Sequence, residues 1–496
     1  MYFIGYDIGS SSVKATLLKG DTGKVVASAF YPKTEMKIIA HQNGWAEQEP
    51  EAWWENLKLA TQDILAHSKV NPSDIKAIGI SYQMHGLVVV GKDQKVLRPS
   101  IIWCDSRAVE IGNKAFEEIG KEICLSRSLN SPGNFTASKL KWVRENEKNV
   151  YDKIYKFMLP GDYIAMKMSG IINTTVTGLS EGILWDFREN TPASFLLNNM
   201  KIEPDKLADI VPVFSEQSTL SNTAAKELGL KEGTLISYRA GDQPNNAFSL
   251  NVNKNGEIAA TAGTSGVVYA VSDAVNYDKQ SRVNTFAHVN HSASNPSLGI
   301  LMCINGTGIL NSWLHKNMNN KGLNYPAMND LAEKIAIGSE GLRILPFGNG
   351  AERILGNKEP GSAVYNLNFN IHTNAHFYRA GQEGIAFSFK YGIDIMNSLG
   401  VKPQVIRAGY ANMFLSPVFR QTLANINNAV IELYETDGSV GAAKGAALGA
   451  GYYSSIDDAF KQFEKISITE PDSKMQPQAL AAYQSWYEIL KSVISL

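Results

Sequence analysis

The chain has 496 residues, of which 44% are hydrophobic and 19% charged, with a formal net charge of −1. A single hydrophobic core stops growing near ~250–300 residues, so two large domains are expected. The balanced charge excludes binding to nucleic acid or an anionic membrane through bulk electrostatics. Cys104, Cys124 and Cys303 are too few and too scattered for a disulfide framework or a metal-ligand spacing. No apolar run approaches the ~20 residues that span a bilayer. The first apolar stretch carries Asp7 and has no basic start, unlike a secretory leader. A cytoplasmic address is the expectation.

Tyr2 to Ile8 reads as a strand that meets a Gly/Ser cluster, Val13 to Leu18 as a second strand, and Val25 to Ala29 as a third, beyond a turn at Asp21 to Lys24. This predicts an antiparallel meander with tight turns. Pro50 opens a helix in which Trp53, Trp54, Leu57, Ala60, Ile64 and Leu65 fall on one face. Asn71 to Asp74 is a loop, and Ile75 to Ile80 a buried strand ending at Gln83-Met84-His85-Gly86. The order β-β-β-α-β predicts a mixed sheet with a crossover helix. Ile258 to Tyr269 repeats the strand, Gly/Ser/Thr turn, strand pattern. Two similar halves would then divide at 248/249. Gly438 to Gly451 is rich in small residues and reads as a closely packed helix, with a ligand-facing N-terminus as the alternative.

Five segments carry candidate chemistry. In Asp7-Ile8-Gly9-Ser10-Ser11-Ser12-Val13-Lys14, the glycine permits close backbone approach. The serine hydroxyls and backbone N–H groups can donate to phosphate oxygens. Asp7 can hold a hydrated Mg²⁺, and Lys14 can add a positive charge. Read alone, the segment reads first as a plain hairpin with a capping Asp. Ala262-Gly263-Thr264-Ser265-Gly266 has the same physics. In Arg239-Ala240-Gly241-Asp242-Gln243-Pro244, an Asp in a Gly turn at a strand end can serve as a base in phosphoryl transfer, or as an ordinary Asx-turn residue. Gln83-Met84-His85-Gly86 and Trp103-Cys104-Asp105-Ser106-Arg107 each offer the mixture of apolar wall, donor and acceptor that a polyol pocket needs. For the latter, an Asp–Arg pair at a helix start is the plain alternative.

In this order, these residues resemble the FGGY family of carbohydrate kinases, and within it the xylulose kinase branch, from Tyr2 to about Tyr453. Gly44-Trp45-Ala46-Glu47-Gln48-Glu49-Pro50, Phe135-Thr136-Ala137-Ser138-Lys139-Leu140 and Leu159-Pro160-Gly161-Asp162-Tyr163 extend the match. The resemblance implies an α/β fold of two actin-like (ribonuclease H-like) domains flanking a deep cleft: residues 1–248 for the sugar and first phosphate turn, residues 249–496 for the nucleotide. It implies ATP and Mg²⁺, with phosphorylation of D-xylulose to D-xylulose 5-phosphate. Another ketose or polyol (ribulose, fuculose, glycerol) and a non-catalytic actin-like nucleotide binder are the alternatives. Asp242 would be the base. Gln83, Met84, His85, Trp103, Asp105 and Gln243 would bind sugar. Gly9, Ser10, Ser11, Ser12, Lys14, Gly263, Thr264, Gly308, Gly409 and Asn412 would bind nucleotide, and Asp7 the metal. For assembly the resemblance allows a homodimer. Gln243 stands where the family has Asn, and Arg407-Ala408-Gly409-Tyr410-Ala411-Asn412 replaces a Gly-Gly-Gly-Ala motif, which opens the question of nucleotide choice.

Overall fold

A computed structural model describes residues 1–318 and 322–495 of the chain. They form two compact units. The first comprises Met1–Asn251, Phe286–Ser297 and Thr436–Phe463; the second comprises Val252–Thr285, Leu298–Glu435 and Glu464–Leu496. A single division at 248/249 therefore differs from these units, because two later segments rejoin the first. Among the described residues, no helix is long and apolar enough to cross a membrane.

In the first unit, β1 (Tyr2–Ile8), β2 (Val13–Lys19) and β3 (Val25–Tyr31) form the expected antiparallel meander. Helix α1 (Pro50–Ser68) follows, burying Trp53, Trp54, Leu57, Ala60 and Ile64 as their 3–4-residue spacing predicts. Strand β4 (Ile75–Tyr82) pairs parallel with β1. Helices α2 (Thr136–Asn146) and α3 (Val176–Glu181) come next, then β5 (Phe214–Thr219) and β6 (Leu235–Gly241). The sheet order is β5-β6-β4-β1-β2-β3.

Strand β6 runs without a turn into helix α4 (Asp242–Ser249). This corrects the expectation of a Gly turn around Asp242. Pro244 sits in the first helical turn, where a missing N–H costs nothing, so the chain can switch directly from strand to helix.

In the second unit, β7 (Glu257–Ala262) and β8 (Gly266–Ser272) form the echoed hairpin. They are followed by β9 (Leu298–Ile304), α5 (Gly308–Asn317), α6 (Asn374–Ser398), β10 (Val405–Gly409), α7 (Pro417–Asn427) and β11 (Val430–Tyr434). Helix α8 (Gly438–Gly449) belongs to the first unit, and β12 (Ser467–Thr469) to the second. Neighbours run β9-β8-β7-β10-β11-β12.

These six neighbouring strands, in a sheet that has a seventh at Asn284–Ala287, match the six of the first sheet. β1 is antiparallel to β2 and parallel to β4; β7 is antiparallel to β8 and parallel to β10. The weak internal echo in the sequence is thus a repeated sheet topology.

Helix α8 rejoins the first unit because its residues are small. Ala442, Ala443, Ala446 and Ala447 are fully buried. A Cβ on Gly5 of β1 would overlap the Ser439 carbonyl oxygen, and one on Gly79 of β4 would overlap that of Ala442. The helix backbone therefore lies directly on the sheet, and its N-terminus comes to the end of β1 where Asp7 stands.

Candidate active site

Asp7, the second-last residue of β1, accepts a hydrogen bond from Ser81 Oγ of β4 at 2.8 Å. A Cβ on Gly438 would overlap its other oxygen, so the first residue of α8 touches Asp7 only because it is glycine. Asp437 caps that helix, accepting from the N–H groups of Ser439 at 2.9 Å and Val440 at 3.1 Å, and it pairs with Lys14. Burial pushes Asp437 upward, but Lys14 and the capping bonds outweigh it and hold the carboxyl below its usual range. Asp7 moves the other way. Burial raises it, Asp437 adds repulsion, and Ser81 and Lys14 only partly offset this. Lys14 is thus engaged by a carboxylate at the end of the opening turn.

The turn itself is fixed from beneath. The Ser10 carbonyl accepts from Gln48 Nε2 at 2.6 Å, the Ser11 carbonyl from the Met36 N–H at 2.9 Å, and the Ser12 carbonyl from the Gly9 N–H at 3.0 Å. Trp103, 53% exposed, donates its indole N–H to Ser10 Oγ at 3.3 Å. Trp103 therefore stands against the opening turn.

Asp242 opens α4, and its pKa is raised to about 7, first by burial and then by the charge of Asp7; hydrogen bonds from Gln243 oppose the shift. Gly241, just before it, faces Met84: a Cβ there would lie 2.6 Å from Met84 Cγ and 2.5 Å from Glu181 Oε2. His85 adopts a left-handed backbone, φ 62°. Two bonds hold it there: Lys139 Nζ donates to its carbonyl at 2.8 Å, and its Nδ1 lies 2.9 Å from the Glu181 carbonyl oxygen. Its ring packs edge-on to Phe135 at 4.8 Å and against Phe286 at 5.4 Å. Gln83 is buried and donates to Gln48 Oε1 at 3.3 Å, which ties the turn after β4 to the turn after β1. The first unit thus brings together Asp7, the opening turn, Gln83, Met84, His85, Asp242 and Gln243.

Asp105 is a correction. It is fully buried, and both of its oxygens are taken, by the N–H of Ala46 at 2.6 Å, the N–H of Arg107 at 2.9 Å and the Arg107 guanidinium. Arg107 also pairs with Glu47 at 2.6 Å and stacks on Trp45 at 3.8 Å. A carboxylate so engaged has no oxygen left for a sugar hydroxyl, and its role is to anchor the tryptophan-rich segment.

Sequence reasoning missed Glu181 and Phe286. Glu181 is buried with neither carboxyl oxygen in hydrogen-bonding geometry, so burial and the nearby Asp242 raise it well above the usual range, with a weak opposing contact from Tyr82. Nothing in Thr177-Gly178-Leu179-Ser180-Glu181 signals this. Phe286 lies two hundred residues from His85 and has no local signature.

The second unit gathers the other predicted group. The Gly308 N–H donates to the Gly263 carbonyl at 2.8 Å, and the Ile309 N–H to that of Thr264 at 3.3 Å, so α5 starts directly on the Gly263–Thr264 turn. Asn412 Nδ2 lies 3.6 Å from where a Cβ on Gly263 would stand. Gly409 ends β10 three residues before Asn412.

The residues around Asp7 fit a divalent cation. Burial raises Asp7 and Asp242 first, and the charge of Asp437 on Asp7 and of Asp7 on Asp242 adds to it; a cation beside Asp7 would favour the charged carboxylates. Among the described residues, no group of three His, Cys, Asp or Glu is arranged to hold a metal. One carboxylate with waters and substrate phosphates is the way Mg²⁺ is commonly held.

The comparisons agree with this architecture. Profiles of the FGGY family of carbohydrate kinases match residues 2–249 (N-terminal domain) and 258–453 (C-terminal domain). The chain is 29% identical over 504 residues to a xylulose kinase of Bacillus subtilis (strain 168), covering 99% of this chain and 96% of that protein. The crystal structure of xylulose kinase from Rhodospirillum rubrum matches with a TM-score of 0.89 at 23% identity over 99% of each chain. That of gluconate kinase from Lactobacillus acidophilus matches at 0.90 and 22%, over 99% of this chain and 98% of that one. These structures share the two-domain, actin-like α/β fold. With both family domains matched in order along one chain, this protein belongs to the FGGY family of carbohydrate kinases and is a sugar phosphotransferase.

Proposed function

We propose that the chain transfers the γ-phosphoryl group of ATP to the terminal hydroxyl of D-xylulose, giving D-xylulose 5-phosphate and ADP. The observation that carries the reading is the Met84–His85 turn, in which Met84 packs on Gly241, the residue before Asp242, and His85 bonds the carbonyl of Glu181, whose carboxyl is within electrostatic reach of Asp242. End-to-end likeness to the Bacillus subtilis xylulose kinase supports it.

Asp242 accepts the proton of O5 as that oxygen attacks the γ-phosphorus, and a pKa near 7 suits a base working near neutrality. His85 and Met84 position the ketose, with Gln83 bracing their turn and Gln243 hydrogen-bonding the carboxylate of Asp242. The N–H groups and hydroxyls of Gly9 to Ser12 receive phosphate oxygens. Gly263, Thr264, Gly308, Gly409 and Asn412 hold the rest of the nucleotide. Mg²⁺, held by Asp7 through water, would supply charge neutralisation to the phosphates.

The test is a panel of D-xylulose, D-ribulose, L-fuculose, glycerol and gluconate, with ADP release followed by a coupled assay. The expected result is sugar-dependent ADP release with the highest kcat/KM for D-xylulose. A higher kcat/KM for another acceptor ends the xylulose assignment, and no sugar-dependent ADP release from any of them ends the reading as a whole.

A further inference from the structure

Arg407 within β10 and Tyr410 just after it are the bulky residues that replace small ones in this stretch, and the structure separates their roles. Arg407 bridges Glu257 of β7 at 3.0 Å and Glu432 of β11 at 2.9 Å, and Glu432 also accepts from the Tyr434 hydroxyl at 2.8 Å. Its guanidinium is mostly buried in this network and committed to the sheet.

Tyr410 follows the strand end. Its N–H donates to the Tyr434 carbonyl at 2.9 Å, the Ala411 N–H turns back to the Gly409 carbonyl at 2.8 Å, and Asn412 takes a left-handed φ of 54°. Met413 and Phe414 then enter the core, while Tyr410 keeps 52% of its surface exposed. Arg420 of α7 lies within electrostatic reach of the phenol and ties down the Phe414 carbonyl at 2.5 Å. The result is an exposed aromatic ring on a pinned backbone, two residues from the Asn412 side chain that reaches Gly263.

We propose that Tyr410 is the platform on which the base of the nucleotide stacks, and that base choice is loose as a result. The inference rests on the reading of the second unit as the nucleotide-binding half. A stacking ring accepts the π-face of any base. Arg407, locked in its ion pairs with Glu257 and Glu432, is not free to read a base edge.

The test measures binding of ADP and of GDP to the full chain by calorimetry, without sugar, in the wild type and in Tyr410→Ala and Tyr410→Phe. Tyr410→Ala is expected to weaken both nucleotides by about tenfold or more and to a similar extent. Tyr410→Phe is expected to keep both, with D-xylulose affinity and the thermal midpoint unchanged in either variant. Unchanged nucleotide affinity in Tyr410→Ala, or a loss confined to ADP, overturns the proposal. A wild type that binds neither nucleotide overturns it together with the nucleotide reading. Tyr410-dependent nucleotide binding without sugar-dependent turnover upholds it while the kinase assignment falls.

Discussion

Replacing Asp242 by Asn keeps the shape of the side chain and removes its charge, and the structure sets opposite consequences for rate and stability. The carboxyl titrates near 7 in the folded protein, against about 3.9 when unfolded. Folding therefore favours the neutral form. The stability this group contributes is fully present below about pH 3.9 and is lost as pH rises to about 7. Three pKa units at about 1.4 kcal/mol each put the loss at no more than about 4 kcal/mol above pH 7. Asn escapes that loss, so Asp242→Asn should melt higher than the wild type at pH 8 and converge with it toward pH 4. Turnover goes the other way. A general base is typically worth ~10²–10⁴ in rate, so kcat at pH 8 should fall by that factor. The wild-type kcat/KM for the sugar should fall about tenfold per pH unit below 7, and the residual activity of Asp242→Asn should show no such limb. Scanning calorimetry at pH 4, 6 and 8, with a coupled ADP assay over the same range, checks all of this. Turnover of the variant within tenfold of wild type at pH 8, or a wild-type rate flat between pH 5 and 7, would refute Asp242 as the base.

Two further outcomes follow from packing and charge. Gly79→Ala forces a Cβ into the Ala442 carbonyl. Backbone cannot rotate away as a side chain can, so a loss of about 3 kcal/mol or more is expected in denaturant unfolding; a loss under about 1 kcal/mol would show that α8 is not seated directly on the sheet. Glu181→Gln removes a buried carboxyl whose neutral form the fold prefers. It should raise the melting temperature at pH 8 and give no gain near pH 4, since the wild type loses stability only as pH climbs above about 4.3; a lower melting temperature at pH 8 would contradict the buried, unpaired geometry.

Much of this protein is legible from local pattern. The alternation in Tyr2 to Leu18, the spacing of Trp53 to Ile64 and the Gly/Ser turns depend on residues near in sequence, and the elements formed as their periodicities require. Motif order along the chain was enough to place it in its family. Other features depended on residues far apart. Asp105 looked like a pocket residue because its neighbours are polar, yet Ala46 and Arg107 consume its oxygens. Asp242 was expected in a turn, but the strand continues straight into a helix. The raised pKa of Asp242 exists first because the fold buries it and then because β1 brings Asp7 near it, and the fold of α8 onto Gly5 and Gly79 puts Asp437 beside Asp7. Sequence determined the elements and the types of group available, because helix and strand period and turn chemistry are local. Tertiary structure alone decided which carboxyls repel, which are consumed by partners and which stay available, because burial and Coulomb interactions act across space between residues hundreds of positions apart.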